Sequence, residues 1–182
     1  GLKSRVVYNG INLEKYPFEP NKGERLIFVG RLDSFKQPHI AIQVAKKLNL
    51  GIDVVGGTWV RDVEYMEQIK KMDDGKQVRV YPDAPHEVKL KLLQKARALL
   101  FCSHMGEPFG LCPIEAASCG TPTVALRDGA IPETVCDGVS GFVCDNAEQM
   151  AESVKRVDQI DPKNCRRVVE AKFTREIMTV NY

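Results

Sequence analysis

The chain has 182 residues, the length of one domain that can bury a substantial core. Its 26 basic and 24 acidic side chains leave a net charge of +2, which argues against a dedicated nucleic-acid binder but leaves room for a small anionic ligand. No apolar run approaches the length of a membrane span. No basic and then apolar leader opens the sequence, so we expect a secretory signal to be absent or already removed.

The cysteine pattern predicts free thiols. No C-x-x-C pair is present and only three histidines are available, so structural zinc is not expected. A chain of this length does not need a disulfide scaffold. We therefore expect the chain to be located in a reducing compartment, the cytoplasm. The six cysteines lie at positions 102, 112, 119, 136, 144 and 165.

Short apolar runs alternate with helical patterns along the chain. Most of these runs are rich in β-branched and aromatic residues and are closed by Gly, Pro or Ser, which is typical of strands buried on both faces. The predicted strands are Leu26–Val29, Ile52–Val55, Val78–Tyr81, Ala98–Cys102, Thr123–Leu126 and Gly141–Cys144.

The segments between these strands carry helical periodicity. Pro38–Leu50 has one apolar stripe at the helical period, and Ala147–Ile160 has another. Asp83 is predicted to cap a helix that runs to Ala96, and a further helix ends near Cys119. The alternation predicts an α/β fold with a doubly wound parallel sheet of about six strands.

Sheets of this kind bind ligands beyond the carboxyl ends of their strands, and the richest such segment runs from His104 to Gly120. Pro108 and Gly110 indicate a loop, and Pro113 is tolerated only in a first helical turn. The helix N-terminus is thus expected near residues 109–112. Its unpaired amides would form an anion site.

Two glutamates flank this predicted helix N-terminus. Glu107 lies in the loop before it and Glu115 about one turn inside it. Because a carboxylate repels phosphate, both should accept hydrogen bonds from hydroxyl groups on either side of a diphosphate. A nucleotide sugar has this arrangement. A glutamate in this position is also favoured by the helix dipole without any ligand.

The segment Gly30–Lys36 (GRLDSFK) follows the first strong strand and carries a second candidate anion site. Gly30 permits a tight turn, while Arg31 and Lys36 supply two cations for a diphosphate. The alternative is that both are solvated surface charges. Trp59 has no evident partner, and residues 128–133 form either a ligand-facing loop or a simple turn into a short helix.

Four motifs together resemble those of the retaining GT-B glycosyltransferases of family 4. EPFGLCPIEAASCGTPTVA resembles the family signature, with its two glutamates matched by Glu107 and Glu115. VVYNGINLEKYPF resembles the start of the C-terminal half, with Asn12 in place of the usual Asp, and IFVGRLDSFKQP resembles the G-R-L…K segment. DGAIPETVCDGVSGFVC resembles the GG-x-x-E segment, with Ala130 in place of the second glycine. The likeness covers about residues 4–160.

The resemblance implies a site residue by residue. Glu107 would be the catalytic residue that faces the transferred sugar, and Glu115 would accept from the ribose hydroxyls. No metal or other cofactor is implied, because cations and the helix dipole neutralise the leaving diphosphate. The other implied donor-binding residues are Gly30, Arg31 and Lys36 at the diphosphate, Tyr81 and Pro82 at the base, and the backbone of Phe109, Gly110, Leu111 and Cys112 at phosphate and sugar.

The resemblance also implies a domain organisation. Residues 1–182 would be the C-terminal, Rossmann-like, nucleotide-sugar-binding half of a GT-B enzyme, with 1–20 as interdomain linker and first strand. The acceptor-binding N-terminal half would lie outside this chain and would make any membrane contact. Transfer of a hexose from a donor such as a UDP- or GDP-hexose would retain configuration, and the chain alone would turn over little.

Three rival functions remain. One is a non-transferring GT-B enzyme such as a sugar-nucleotide epimerase. Another is a nucleotide- or redox-binding module, which would need a G-x-G-x-x-G segment that the sequence lacks. The third is a partner-binding domain without catalysis.

Overall fold

The computed structural model describes residues 5–182, so the first four residues of the predicted linker lie outside the described residues. Six parallel strands form one sheet in the order β3-β2-β1-β4-β5-β6. This confirms the predicted doubly wound α/β fold, with the strand order reversing between β1 and β4. The strands are β1 Leu26–Arg31, β2 Ile52–Gly57, β3 Val78–Pro82, β4 Ala98–Phe101, β5 Thr123–Leu126 and β6 Gly141–Cys144.

At least one helix lies between each strand and the next along the chain. The helices are α1 Pro38–Lys47, α2 Val63–Lys70, α3 His86–Lys95, α4 Leu111–Ser118, α5 Ile131–Thr134, α6 Ala147–Val154, α7 Pro162–Lys172 and α8 Arg175–Asn181, with single 3-10 turns at Leu13–Lys15 and Val157–Gln159.

Alternate side chains of β1 pack into two separate hydrophobic cores on opposite faces of the sheet. In β1, Leu26 and Phe28 pack with helices α1, α2 and α6, while Ile27 and Val29 pack with α3, α4 and α7 on the opposite face. All four are buried. Burial of the strands on both faces explains why their sequences are almost continuously apolar.

The prediction that Asp83 caps a helix is wrong. The helix α3 begins at His86, and Pro85 occupies the N-cap position. The ring of Pro85 disfavours the helical conformation of the residue before it, so the helix does not extend back to Ala84. Asp83 instead has a left-handed φ of 46° and accepts hydrogen bonds from the backbone amide and the hydroxyl of Thr58.

The predicted helix Ala147–Ile160 is interrupted. The helix α6 ends at Val154 and a 3-10 turn follows. Val157 belongs to the core on the α1/α6 face and Ile160 to the core on the α4/α7 face, so the chain crosses the sheet edge here. A continuous helix would keep both side chains near one face. The sequence analysis also did not predict α2, α7 or α8.

The segments near the two ends of the described chain are paired. Ile11 donates its amide to the carbonyl of Phe173, and Arg175 donates to the carbonyl of Ile11. Gly10 allows this approach, because a Cβ there would lie 2.2 Å from the carbonyl oxygen of Thr174.

The described residues add two facts relevant to the environment of the protein. Within residues 5–182, every helix is too short or too polar to cross a lipid bilayer. All six cysteines are free, and four of them are buried residues, whereas Cys112 and Cys136 are partly buried.

Candidate functional site

Two neighbouring clefts open at the carboxyl edge of the sheet, and both are lined by Val29 and Gly30 at the end of β1. We call them the Glu107 cleft and the Lys89 cleft. The Glu107 cleft has a volume of about 330 Å³, and the Lys89 cleft about 410 Å³. The strand order reverses here, which is the usual ligand-binding position of a doubly wound sheet.

The N-terminus of α4 lies in the Glu107 cleft, as the sequence predicts. The helix begins at Leu111, with Pro113 in its first turn and Gly110 at the N-cap with φ 88°. A Cβ on Gly110 would lie 2.9 Å from the Ile131 side chain, so both conformation and space require glycine. The cleft is lined by residues 107–112 together with Asn9, Val29, Gly30, Lys36 and Phe101.

The amides of this helix tip differ in availability. Gly110 donates its N–H to Oε1 of Glu107 at 3.2 Å, so that amide already has an acceptor. Leu111 and Cys112 donate to no protein acceptor within residues 5–182. Amides in a first helical turn have no intrahelical partner and carry the positive end of the dipole. Two amides are thus free to bind an anion.

Glu107 is a buried and charge-paired carboxylate. Its Oε2 accepts from Nζ of Lys36 at 2.5 Å and from the Ser103 hydroxyl at 2.9 Å. Burial alone would raise its pKa, but the hydrogen bonds from Lys36 and Ser103 hold the pKa of Glu107 below its ordinary value of 4.5. Glu107 is therefore ionised at neutral pH and is suited to accept a hydrogen bond from a hydroxyl group or to stabilise positive charge.

The loop after β5 holds Glu107 in place, a role that the sequence analysis did not assign. The Asp128 carboxylate accepts from the amides of Gly106 and Glu107, each at 2.9 Å, and Ala130 donates its amide to the Glu107 carbonyl. A Cβ on Gly129 would lie 2.1 Å from that carbonyl oxygen. The two loops fit together only because residue 129 is glycine.

Glu115 forms a second acid–lysine pair on the other side of the helix tip. Its Oε2 accepts from Nζ of Lys89 at 2.9 Å, and its Oε1 accepts from the Tyr16 hydroxyl at 2.7 Å. Lys89 lines the Lys89 cleft. Glu115 itself lines neither cleft, whereas Glu107 lines the Glu107 cleft. Each predicted glutamate is thus neutralised by a lysine that lines one of the two clefts.

The remaining predicted donor-binding residues lie around the Lys89 cleft. Arg31 lines it, half-exposed, with its Nε 3.1 Å from Asp33 Oδ2. Tyr81 and Pro82 end β3 beside the cleft, which is lined by the next two residues, 83 and 84, and not by Tyr81 or Pro82 themselves. Lys36 lies in the Glu107 cleft, so the two predicted diphosphate cations face neighbouring clefts.

The sequence analysis missed Tyr16, Lys89, Ser103 and Asp128, which support the two glutamates. Ser103 and Asp128 follow strands β4 and β5, and this position was the only available signal. Tyr16 is 99 residues from Glu115 in sequence and Lys89 is 26 residues away. Only the fold brings them together.

Two larger cavities are present, and the second of them shares Arg31 with the Lys89 cleft. One of about 610 Å³ lies beside β6 and α6, where the Arg156 guanidinium already stacks over the Phe142 ring at 4.8 Å. The other, about 430 Å³, lies between the loops after β1 and β2 next to Trp59, which is 88% exposed. Neither contains the N-terminus of α4.

Residues 12–174 match the family model described as "Glycosyl transferases group 1". The match includes every predicted site residue and every residue that lines the two clefts except Asn9.

Curated relatives of the chain carry the names of transferases and synthases. D-inositol 3-phosphate glycosyltransferase of Frankia alni is 33% identical, with 76% of this chain and 40% of that protein covered. Glycogen synthase of Mycobacterium tuberculosis is 33% identical, with 76% of this chain and 35% of that protein covered. The chain therefore spans less than half the length of these relatives.

Solved structures share the fold. AviGT4, a glycosyltransferase involved in avilamycin A biosynthesis, superposes with a TM-score of 0.79 at 24% identity over 100% of this chain and 55% of its own. Anabaena Alr3699/HepE in complex with UDP and glucose superposes with a TM-score of 0.81 at 22% identity over 97% of this chain and 54% of its own. At these identities the likeness concerns the fold alone.

Proposed function

The chain belongs to the family of group 1 glycosyl transferases, and from this premise we propose that it is the donor-binding half of a retaining glycosyltransferase of family 4. The proposed donor is a nucleoside diphosphate hexose. The observation that carries this proposal is the tip of α4, where the amides of Leu111 and Cys112 lack a protein acceptor within the described chain and lie between two lysine–glutamate pairs.

The proposed pose follows from the charges of the two clefts. The diphosphate binds the two free amides, and Arg31 and Lys36 approach it from either side. Because Lys36 neutralises Glu107 and Lys89 neutralises Glu115, the phosphates meet no net negative charge from the two acids. The ribose then lies at Glu115 and the base beyond it, towards Tyr81 and Pro82 at the end of β3.

We assign Glu107 the role of accepting a hydrogen bond from a sugar hydroxyl and stabilising positive charge at the reacting carbon. A nucleophilic role is disfavoured, because its two oxygens accept three hydrogen bonds, from Gly110, Lys36 and Ser103. Such bonds make a carboxylate less reactive toward carbon. The leaving diphosphate is stabilised by the helix tip and by the cations, so this mechanism needs no metal.

The acceptor is proposed to bind a further domain. The chain covers 40% of its inositol phosphate relative and 55% of AviGT4, which leaves room in those proteins for a second half. We propose that the chain alone binds donor but turns it over little. Robust transfer by the 182-residue chain would contradict this. The names of the relatives support a transferase over an epimerase, and the cytoplasmic location stays a prediction.

A thermal-shift panel with UDP, GDP, ADP and their hexose conjugates tests the proposal. A ligand at about 100 times its dissociation constant adds about 2.7 kcal/mol to the free energy of unfolding, so a true donor should stand out clearly. The absence of any shift with all of these ligands would contradict the proposal.

Two substitutions locate the binding. Arg31→Ala and Glu115→Gln should each weaken nucleotide binding about tenfold or more, because each removes a charge-assisted contact. Arg127→Ala is the matched control for Arg31→Ala, since Arg127 pairs with Asp145 at 2.9 Å outside both clefts. Equal affinity in wild type, Arg31→Ala and Glu115→Gln would favour the non-catalytic, partner-binding rival.

A further inference from the structure

We propose that Tyr16 is a positioning residue for the donor ribose and that it acts through Glu115. This inference rests on the proposed function, in which Glu115 accepts from the ribose hydroxyls. Tyr16 lies in the segment before β1, far from the motif that contains Glu115. Its hydroxyl donates to Oε1 of Glu115 at 2.7 Å.

The Glu115 carboxylate is held from two sides. Tyr16 occupies one position on Oε1, and Lys89 occupies one position on Oε2 at 2.9 Å. A carboxylate offers about four acceptor positions, two on each oxygen. One position therefore stays open on each oxygen, and the plane of the group is fixed. A vicinal diol, such as the 2′- and 3′-hydroxyls of a ribose, presents two donors at the spacing of two such oxygens.

Tyr16 is itself immobilised, so it can orient its partner. Its side chain is buried, and its ring packs edge-on against the His86 ring with centroids 5.8 Å apart. Its carbonyl accepts from Nη1 of Arg166 at 2.8 Å, and its amide donates to the carbonyl of Leu13. Contacts on ring, carbonyl and amide leave the hydroxyl little freedom. A group held in this way orients a binding residue at little entropic cost.

The proposal predicts a loss of nucleotide affinity that depends on the ribose hydroxyls. The nucleoside diphosphate that stabilises the chain most in the panel of UDP, GDP and ADP is titrated calorimetrically beside its 2′,3′-dideoxy form. Tyr16→Phe removes only the hydroxyl. It should weaken binding of the ribonucleotide about 5- to 10-fold and change binding of the dideoxy form less than about twofold. The quantity compared is the ratio of the two dissociation constants, dideoxy form over ribonucleotide, within each variant. A general loss of folded protein affects both constants equally and cancels in this ratio.

Two controls separate positioning from general stability. Tyr65→Phe removes a comparable hydroxyl, which contacts Nδ1 of His39 at 2.5 Å outside both clefts, and should leave the ratio unchanged. In a Glu115→Ala background no carboxylate remains to orient, so Tyr16→Phe should have no further effect on ribonucleotide binding.

Three outcomes would overturn the inference. One is an equal loss for both nucleotides in Tyr16→Phe, which would indicate a purely structural role. Another is no loss for either nucleotide, with wild-type binding intact, which would leave the proposed function standing. The third is that the wild-type chain binds no nucleoside diphosphate, in which case the proposed function fails together with this inference.

Discussion

The carboxylates around the helix tip differ in the groups that they bind. Glu107 and Glu115 are each paired with a lysine in a cleft, whereas Asp128 binds only backbone amides of the neighbouring loop. The first two can exchange a partner with a ligand. Asp128 cannot do so without releasing the loop that carries Glu107.

Because Asp128 holds the loop that carries Glu107, its substitution should lower the stability of the chain. Asp128→Ala leaves the amides of Gly106 and Glu107 without their acceptor, which should lower the free energy of unfolding by about 1–2 kcal/mol. Asp145→Ala removes an acid of the same type from the exposed pair with Arg127 and should have no measurable effect. Urea denaturation measures both. Equal midpoints for the two variants would contradict the assigned role.

The Lys36–Glu107 pair predicts a pH dependence. The pKa of Glu107 is lowered in the folded chain, so the pair contributes stability above about pH 4.5 that is lost as the pH falls through the lowered pKa. The difference in unfolding free energy between wild type and Glu107→Gln should therefore shrink as the pH falls below about 4.5. Urea midpoints measured between about pH 7 and pH 3 test this. A constant difference over that range would show that the pair does not titrate as argued.

At the scale of elements, the turn of nine residues between β4 and α4 determines where the proposed anion site lies. Most of this turn could be predicted from sequence, because Pro108, Gly110 and Pro113 each restrict the backbone in a known way. The end of β3 was predicted less well. Asp83 resembles a helix cap in sequence, but Pro85 displaces the helix start and Thr58, from another loop, binds the carboxylate instead.

Two glycines with positive φ allow the turn to be tested. Gly138→Ala should lose about 1 kcal/mol of stability and Gly110→Ala at least as much, because φ is 71° at Gly138 and 88° at Gly110. A Cβ meets nothing within 4 Å at Gly138 but lies 2.9 Å from Ile131 at Gly110. Only Gly110→Ala should therefore shift the helix tip and weaken nucleotide binding, measured by calorimetry. Unchanged affinity in Gly110→Ala would indicate that the tip does not bind the ligand.

At the scale of the whole molecule, the strand order determines where the two clefts lie. Alternating patterns predict a parallel sheet, and the sheet predicts ligands at its carboxyl edge, so a cleft at this edge could be expected from the sequence. The partners of the two glutamates did not follow. Tyr16 and Lys89 reach Glu115 only because the segment before β1 and the helix α3 pack on the same face as α4. Periodicity specifies which face of an element is apolar, but not which distant polar group will meet it.

The central claim is that the free amides at the tip of α4 bind the diphosphate of a nucleotide sugar. Amide-resolved NMR titration of the ¹⁵N-labelled chain tests it most directly, with UDP, GDP and ADP compared with uridine, guanosine and adenosine. We predict that the amides of Leu111 and Cys112 shift strongly with at least one diphosphate and not with the matching nucleoside. If a diphosphate binds while these two amides keep their positions, and the shifts instead cluster elsewhere on the molecule, the account is contradicted.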